Sequence, residues 1–188
     1  MKRQGDGQAI YEARNLLKNN TVFAVTMGDM IALPGKSLLK ELCTTFKSLK
    51  APVISLSQIE PKEADKYGII KPGKTVDKNY YEVLSIVEKP KISEAPSTFA
   101  MTGKYILSKE IFPYLKILLD KAVEKEEVRL SVALNMYAQE HKLFGVKCIH
   151  QYYDSGNKID LFKTEIVFSS SHYELGEKVS AFLKNFKK

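Results

Sequence analysis

The stretch Phe23-Ala24-Val25-Thr26-Met27-Gly28-Asp29 decides the fold of this chain, because an apolar segment passes there directly into a turn that carries an acid. Residues 22–27 are apolar and partly β-branched, which predicts a short buried strand. Gly28 lets the chain turn, so the carboxylate of Asp29 is presented at the end of that strand. Such a carboxylate is suited to hold magnesium, although an Asx turn that merely ends the strand is the simpler alternative.

Around this strand, apolar periodicity predicts alternating helices and strands. Helices are predicted at residues 8–18, 37–49, 109–119, 130–141, 157–168 and 173–186, with Ser108 as the N-cap of the third. Further strands are predicted at residues 52–59, 68–71, 81–87, 98–107 and 144–152. Alternation followed by a run of strands predicts an α/β fold in which helices flank a mixed, mainly parallel sheet with a partly antiparallel edge.

Length and composition favour a single domain over residues 1–188. The chain is 44% apolar, and no apolar run reaches the length of about 18 residues that spans a bilayer, so no membrane partner is expected. Residues 1–6 are polar and do not resemble a signal peptide, which favours a cytoplasmic protein. Cys43 and Cys148 lack metal-site spacing and are expected to be free thiols of a reducing compartment.

The net charge of +7 arises from 29 basic and 22 acidic residues. Such an excess can attract nucleic acid, a membrane surface or an anionic small substrate. The lysines are spread along the whole chain, and no RNA-binding motif or zinc finger accompanies them, so no nucleic-acid partner is predicted. A lysine-rich solvated surface is the simple interpretation, and attraction of phosphate-bearing substrates is the alternative.

The motif Glu88-Lys89-Pro90 places an acid and a base at the end of a predicted strand. Pro90 disfavours helix at Lys89 and is expected to keep it extended, so that the two side chains leave in opposite directions. A carboxylate can accept hydrogen bonds from sugar hydroxyls, and an ammonium is a point charge for phosphate. A solvated surface pair is the alternative interpretation.

Asp154-Ser155-Gly156 offers a second carboxylate at a turn that opens a predicted helix. If this turn faces Asp29, the two acids can clamp one cation. Gly68 and Gly103 are candidates for close approach of the backbone to a ligand, although single glycines of this kind are usually turns.

Taken together, these motifs resemble the bacterial UTP–glucose-1-phosphate uridylyltransferases, a family of sugar-nucleotide pyrophosphorylases. The similarity runs over nearly all of the chain in the family's order, and the succession Val-Glu-Lys-Pro, Ala-Pro-Ser and Gly-Lys-Tyr is its most specific part. The matching stretches are residues 5–9, 23–29, 66–70, 86–90, 95–97, 103–107, 154–158 and 172–176.

The resemblance implies a role for each matching residue. It implies transfer of a uridylyl group from UTP to glucose-1-phosphate, giving UDP-glucose and pyrophosphate, with magnesium (Mg2+) as cofactor and no protein nucleophile. Asp29 and Asp154 would bind the metal, and with Lys89 they would be the catalytic residues. The implied substrate-binding residues are Gln4 and Gly5 at the uracil, Gly68, Glu88 and Gly103 at the glucose, Lys89 at the sugar phosphate, and Lys158.

The departures from the family concern its first segment and two later motifs. The opening strand and its glycine-rich triphosphate loop have no counterpart here, so the domain is expected to be incomplete, truncated at its N-terminal strands. The family's Glu-Ile-Gln-Leu-Thr-Asp reads Glu127-Val128-Arg129-Leu130-Ser131-Val132, and Asp160-Leu161 stands where Gly-Tyr is usual.

Removal of central strands is expected to expose the strand at residues 22–27. The expected partners are therefore the substrates and either a second copy or a completing chain. Two alternative functions stay open, a related pyrophosphorylase for another sugar phosphate or for dTTP, and a non-catalytic module that binds sugar phosphates or nucleotides.

Overall fold

The computed structural model describes residues 5–17, 21–32, 37–123, 126–148, 152–156 and 158–186, with the backbone alone at Ala32, Tyr152 and Asp154. The described residues fall into two compact units. The larger unit is drawn from Met1–Thr26 and Ser37–Ile149, and the smaller from Met27–Lys36 and His150–Lys188. Whether the two units make one domain, as expected from the length, stays a prediction.

The described residues form eight strands and six α-helices. The strands are β1 (Val22–Thr26), β2 (Met30–Ala32), β3 (Val53–Gln58), β4 (Gly68–Asp77), β5 (Tyr80–Glu88), β6 (Phe99–Ser108), β7 (Phe144–Lys147) and β8 (Tyr152–Asp154). The helices are α1 (Asp6–Glu12), α2 (Leu38–Leu49), α3 (Phe112–Lys121), α4 (Leu130–Glu140), α5 (Lys158–Ser170) and α6 (Gly176–Asn185). All six predicted helices are confirmed, and α1 continues as a 3-10 turn over Ala13–Leu17.

The larger unit is built on a six-stranded mixed sheet in the order β1-β6-β3-β7-β5-β4, so the predicted α/β fold with a mixed sheet is confirmed. The expectation that the sheet is mainly parallel is wrong for the described residues, because only β3 and β7 pair in parallel. The reason lies in the connections. Only two residues connect Asp77 to Tyr80, and a turn this short can join β4 and β5 only as antiparallel strands.

The core of the larger unit lies where β3 and β6 meet the helices. α2 packs on both strands, α3 packs on α4, and α4 packs on β5. Each large apolar side chain that is fully buried there contributes about 1.5–3 kcal/mol of transfer free energy. The largest such side chains are Leu42, Val53, Ile54, Leu56, Ile69, Ile70, Leu107, Ile111, Leu115, Leu130, Leu134 and Leu143.

Strand β1 lies at one end of this sheet order, so the prediction that it is buried is wrong. Its side chains alternate between exposed and half-buried positions. The physical reason is that, among the described residues, β1 pairs on one side only, with β6. A strand at the edge of a sheet is commonly exposed in this way, so this observation leaves the expected truncation a prediction.

Two local predictions also need correction. The single strand expected at residues 144–152 is found as β7 and β8, which belong to different sheets, because a continuous apolar pattern does not identify pairing partners. Ser108 precedes a 3-10 turn at Lys109–Ile111 and does not cap it through its side chain. Its hydroxyl instead donates to Glu110 Oε2 at 3.0 Å.

The smaller unit consists of the two-stranded antiparallel sheet of β2 and β8 together with α5 and α6. Strand β2 was not predicted, because three residues are too few to show a period. α5 buries only Thr164, and several large apolar side chains of both helices are exposed. Across the described part of the chain, no helix has the length and apolarity that a membrane crossing requires.

Candidate active site

Glu88 and Gly68 face each other across two neighbouring strands. Glu88 is the last residue of β5, and it pairs with Gly68, the first residue of β4. A Cβ atom at residue 68 would lie 2.6 Å from Met101 Cε and 3.0 Å from Glu88 Oε2. A side chain at residue 68 would therefore displace the ends of Met101 and Glu88, so glycine lets the carboxylate approach the buried backbone at this position.

The carboxylate of Glu88 is held by Arg129. Arg129 Nη1 donates to Glu88 Oε1 at 2.8 Å, and Nη2 donates to Glu127 Oε2 at 3.0 Å. Partial burial lowers the pKa of Arg129, but the attraction of Glu88 and Glu127 outweighs this effect and raises it overall. The guanidinium is thus a permanent positive charge beside the carboxylate of Glu88.

Lys89 is not extended, contrary to the expectation drawn from Pro90. Its φ of 46° lies in the left-handed region, which is strained for a residue with a side chain. The backbone N–H of Lys89 donates to Tyr67 O at 3.0 Å, which ties the turn to the start of β4. A following proline disfavours the right-handed helical region, and the left-handed turn satisfies that restriction as an extended residue would. The side chain of Lys89 is exposed.

The segment that contains Gly5 lies against the start of α4. Gly7 N donates to Val128 O at 2.9 Å, and the backbone N–H of Leu130 donates to Asp6 Oδ1 at 3.0 Å. Asp6 therefore caps a helix that begins 124 residues later. Gln4, which was assigned to the uracil edge, lies outside the described residues.

Asp6 also belongs to the electrostatics of this site. Although the residue as a whole is exposed, its carboxyl group is partly desolvated, and this burial raises its pKa above the ordinary 3.8. The hydrogen bond from Leu130 opposes the rise, and the charge of Glu88 adds to it. Asp6, Glu88 and Arg129 thus form one charged cluster at the end of β5.

Gly103 lies in a β-bulge of β6. Between the pairs Ile54–Tyr105 and Leu56–Met101, one residue of β3 faces three residues of β6. The φ of 71° at Gly103 is a conformation that glycine adopts without strain. The hydroxyl of Ser55 fills the gap by accepting from Thr102 Oγ1 at 2.6 Å and from the backbone N–H of Lys104 at 3.1 Å.

In the smaller unit, the backbone brings the two predicted metal ligands to neighbouring positions. Asp154 pairs with Met30, the residue after Asp29, in the ladder of β2 and β8. The backbone N–H and the hydroxyl of Ser155 both donate to Asp29 O at 2.8 Å. The Asp29 side chain is exposed, and Lys158 begins α5 with an exposed side chain.

This arrangement suits a magnesium ion that is bound mainly through substrate. The described residues contain no group of three or more His, Cys, Asp or Glu side chains able to hold a metal by themselves. Magnesium commonly takes one or two carboxylates and completes its shell with phosphate oxygens and water. The exposed carboxylate of Asp29, next to the strand that ends at Asp154, fits that donor set.

The predicted residues are therefore grouped within each unit. Gly68, Glu88 and Lys89 come together in the larger unit, and Gly103 lies in the bulge of β6 in the same sheet. Asp29 and Asp154 are neighbours in the smaller unit. Arg129 and Asp6 were not assigned a role from the sequence. The available signal was a basic residue at the start of a predicted helix, where the helix dipole disfavours positive charge.

The α/β fold with its mixed sheet is that of a nucleotidyl transferase. The nucleotidyl transferase family matches residues 1–167, and the chain belongs to this family. The UTP–glucose-1-phosphate uridylyltransferase of Staphylococcus epidermidis is 30% identical over 183 residues, which cover 97% of this chain and 62% of that protein. UTP–glucose-1-phosphate uridylyltransferase 1 of Staphylococcus saprophyticus is 30% identical over 190 residues, which cover 100% of this chain and 64% of that protein.

Solved structures agree with these relatives. A UDP-glucose pyrophosphorylase complexed with UDP-glucose matches with a TM-score of 0.84 at 25% identity, over 92% of this chain and 64% of that one. The Acinetobacter enzyme shares the fold with a TM-score of 0.85 at 23% identity, over 99% of this chain and 64% of that one. The resemblance to uridylyltransferases is confirmed, and the chain spans less than two thirds of the length of these relatives.

Proposed function

We propose that this protein transfers the uridylyl group of UTP to glucose-1-phosphate, forming UDP-glucose and releasing pyrophosphate. The observation that carries the proposal is the pairing of Glu88 with Gly68 at the end of β5, which leaves the half-buried carboxylate of Glu88 beside a residue without a side chain. The fold in which this occurs is shared with a pyrophosphorylase that was solved with UDP-glucose. A carboxylate that is in partial contact with solvent, as that of Glu88 is, can accept hydrogen bonds from the hydroxyls of a hexose.

The phosphate of the sugar substrate would be bound by Lys89. The left-handed turn at this residue directs the chain away from the ladder immediately after Glu88, and the ammonium remains exposed. A mobile point charge of this kind can follow a phosphate through a reaction. Gly103 would line the glucose pocket, Gly5 would lie against the uracil, and Gln4 would read its edge.

The chemistry requires no protein nucleophile. An oxygen of the sugar phosphate attacks the α-phosphorus of UTP, a new P–O bond forms, and the bond to the bridging oxygen of the β-phosphate breaks. The pyrophosphate leaves with that oxygen and its electron pair. The residues of the chain act by holding the two substrates in line and by placing positive charge near the phosphates. Lys89 and Lys158 would supply this charge.

Asp29 and Asp154 would hold the magnesium ion. When bound, this ion supplies neutralisation of phosphate charge and orientation of the phosphate oxygens. The hydrogen bonds from Ser155 to Asp29 O would keep the first acid close to the strand that carries the second.

We also infer the cellular compartment of the protein and its need for a partner. Cys43 and Cys148 are not joined in a disulfide, which fits the reducing cytoplasm. Donors for the triphosphate are not among the motifs recognised in this chain, and another segment or another copy would provide them. Sedimentation of the protein with and without UTP measures whether copies associate.

The test is pyrophosphate release from UTP and glucose-1-phosphate with magnesium, for the wild type and for Asp29→Ala and Asp154→Ala. Asp120→Ala is the matched control, because Asp120 is an exposed acid that pairs with Lys116 on α3. We expect turnover in the wild type and in the control, and loss of at least a hundredfold in the two site variants, as is typical for groups that stabilise transferred charge.

Three results would separate the functions. Turnover that persists in both site variants would remove these acids from the mechanism. Turnover absent from the wild type, with UDP-glucose still raising its melting temperature, would leave a binding module. Absence of both turnover and a melting shift would contradict the proposal.

A further inference from the structure

Arg129 lies where three segments of the larger unit meet. Its backbone is fixed on both sides, because Val128 O accepts from Gly7 and the Leu130 N–H donates to Asp6. The position of the guanidinium therefore does not depend on its own ion pairs alone. The segment that anchors it is the same one that is proposed to lie against the uracil.

The guanidinium of Arg129 binds one carboxylate oxygen of Glu88, and the other oxygen lies toward Gly68. Nη1 donates to Oε1 at 2.8 Å, whereas Oε2 is the atom that lies 3.0 Å from the Cβ position of Gly68. A carboxylate bound at one oxygen by a planar guanidinium has lost much of its freedom to rotate. One oxygen with its lone pairs is thus presented in a fixed direction.

Stability alone is a weak reason for this ion pair. The side chains of Arg129 and Glu88 remain 32% and 21% exposed, and ion pairs in contact with water add little to the free energy of folding. α4 is also tied to β5 independently, because Asn135 Oδ1 accepts from the backbone N–H of Ile86 at 2.8 Å. The pair is better suited to orienting a side chain than to holding a helix in place.

We propose that Arg129 is a positioning residue for the hexose. It holds Oε1 of Glu88, so that Oε2, which lies beside Gly68, is kept in one direction to accept a hydrogen bond from a sugar hydroxyl. The inference rests on the proposed function and deepens it, because it assigns part of the affinity for the sugar to a residue that does not touch the sugar. Arg129 stands where the family motif has glutamine.

The test compares the dissociation constants of UDP and UDP-glucose, measured by isothermal titration calorimetry. The dissociation constant of UDP divided by that of UDP-glucose isolates the contribution of the hexose to the affinity. We expect Arg129→Met to lower this ratio about tenfold, because a hydrogen bond to a charged acceptor loses its geometry. The affinity for UDP itself should change by less than about twofold, since the nucleotide contacts stay in place.

Further variants separate positioning from a structural role. Glu88→Gln should lower the ratio by a similar factor, and the double variant should be no worse than either single one, because both act through one oxygen. Arg129→Lys should recover part of the ratio, since it restores the charge without the planar fork. Glu127→Gln is the matched control and should leave the ratio unchanged, because Glu127 is 62% exposed and contacts only the other edge of the guanidinium.

An unchanged ratio in a folded Arg129→Met protein would overturn the inference, and so would equal losses for UDP and UDP-glucose. If Arg129→Met does not fold, Arg129→Gln carries the same comparison with a polar side chain. A wild type that does not prefer UDP-glucose over UDP would defeat the proposed sugar site itself, and that result is distinct because it appears before any variant is made.

Discussion

Lys89 holds a strained backbone conformation at the point where the sugar phosphate is proposed to bind. Two residues with side chains have positive φ in the described part of the chain, Lys89 and Lys50. Lys50 is the left-handed C-cap of α2, a common way to end a helix. Lys89 has no such local reason, and strain without a local reason is often found at functional sites.

Replacement of Lys89 separates the strain from the charge. Lys89→Gly should be more stable than Lys89→Ala by about 1 kcal/mol, because glycine adopts positive φ without the Cβ clash. Both variants should bind glucose-1-phosphate more weakly, since both lack the ammonium. Urea denaturation measures the first effect and calorimetric titration the second.

Lys50→Gly is the control for this pair of variants. It should gain stability over Lys50→Ala by a similar amount at a position with φ 49° and leave the affinity for glucose-1-phosphate unchanged. Equal stability of the glycine and alanine variants at residue 89 would show that the turn carries no strain.

At this scale the sequence identifies the chemical groups better than their geometry. Glu88 and Lys89 stand out because an acid and a base precede a proline at a strand end. The ion pair of Glu88 with Arg129 joins residues 41 positions apart, and no local pattern predicts which side chain will meet another at that separation.

The bulge of strand β6 depends on the hydroxyl of Ser55 as a hydrogen-bond acceptor. Ser55 is fully buried and accepts from both Thr102 and Lys104. Ser55→Ala should lower the free energy of unfolding by about 1–3 kcal/mol, because a buried hydroxyl and a backbone N–H lose their acceptor. Thermal and urea denaturation measure the change.

Thr45 in α2 provides the opposite case. It is 2% exposed, and among the described side chains its Oγ1 is the buried oxygen for which no partner is found. Thr45→Val should be neutral or slightly stabilising, since it removes an unsatisfied polar group at nearly constant volume. A Ser55→Ala protein as stable as Thr45→Val would mean that the bulge does not rely on Ser55.

The N-terminus of α4 depends on Asp6. Asp6→Ala should cost about 1 kcal/mol, because the Leu130 N–H loses its cap, whereas Asp6→Asn keeps an acceptor and should cost less. Denaturation at neutral pH compares the two. An alanine variant as stable as the asparagine variant would contradict the capping role.

The same pair of proteins predicts a pH dependence. The folded state raises the pKa of Asp6 above 3.8, so the neutral acid is favoured by folding. Its stabilising contribution is therefore complete below pH 3.8 and is lost as the pH rises through the higher folded value. As the pH rises from 3.8 through the pKa of the folded state, the stability of the wild type relative to Asp6→Asn should fall and then level off. Melting curves recorded across this pH range measure the change, and a rise in relative stability would contradict the prediction.

Elements were predictable wherever their pattern is local. The helices follow from apolar periodicity and from Ser37, whose side chain accepts from Lys40 N. The pairing partners of the strands were not predictable from local pattern, because β3 pairs with β6 and β7, whose residues lie about fifty and ninety positions away. The bulge at Gly103 and the exposure of β1 follow from those distant pairings.

The two units of the molecule differ in how much apolar surface they bury. β3 and β6 carry several side chains with no exposed surface, whereas α6 has no buried residue among those described, and Phe182 is 63% exposed. Local stability follows burial and contact density. We therefore expect amide hydrogens of α5 and α6 to exchange through openings of lower free energy than those of β3 and β6.

Hydrogen exchange followed by mass spectrometry tests this expectation. Phe182→Ser serves as a control, because loss of an exposed ring should leave the exchange of β3 and β6 unchanged. Protection in α6 equal to that in β6 would show that the smaller unit is as stable as the larger one.

The cap that Asp6 provides for α4 also affects how the chain is made. At a ribosomal rate of about 5–20 residues per second, the 124 residues between Asp6 and Leu130 take about 6 to 25 seconds to synthesise. During that time α1 is outside the ribosome without the partner that its first residue binds. The last helix of the larger unit therefore completes the first, and the native contacts of Asp6 and Gly7 with the start of α4 must form after most of the sheet has been translated.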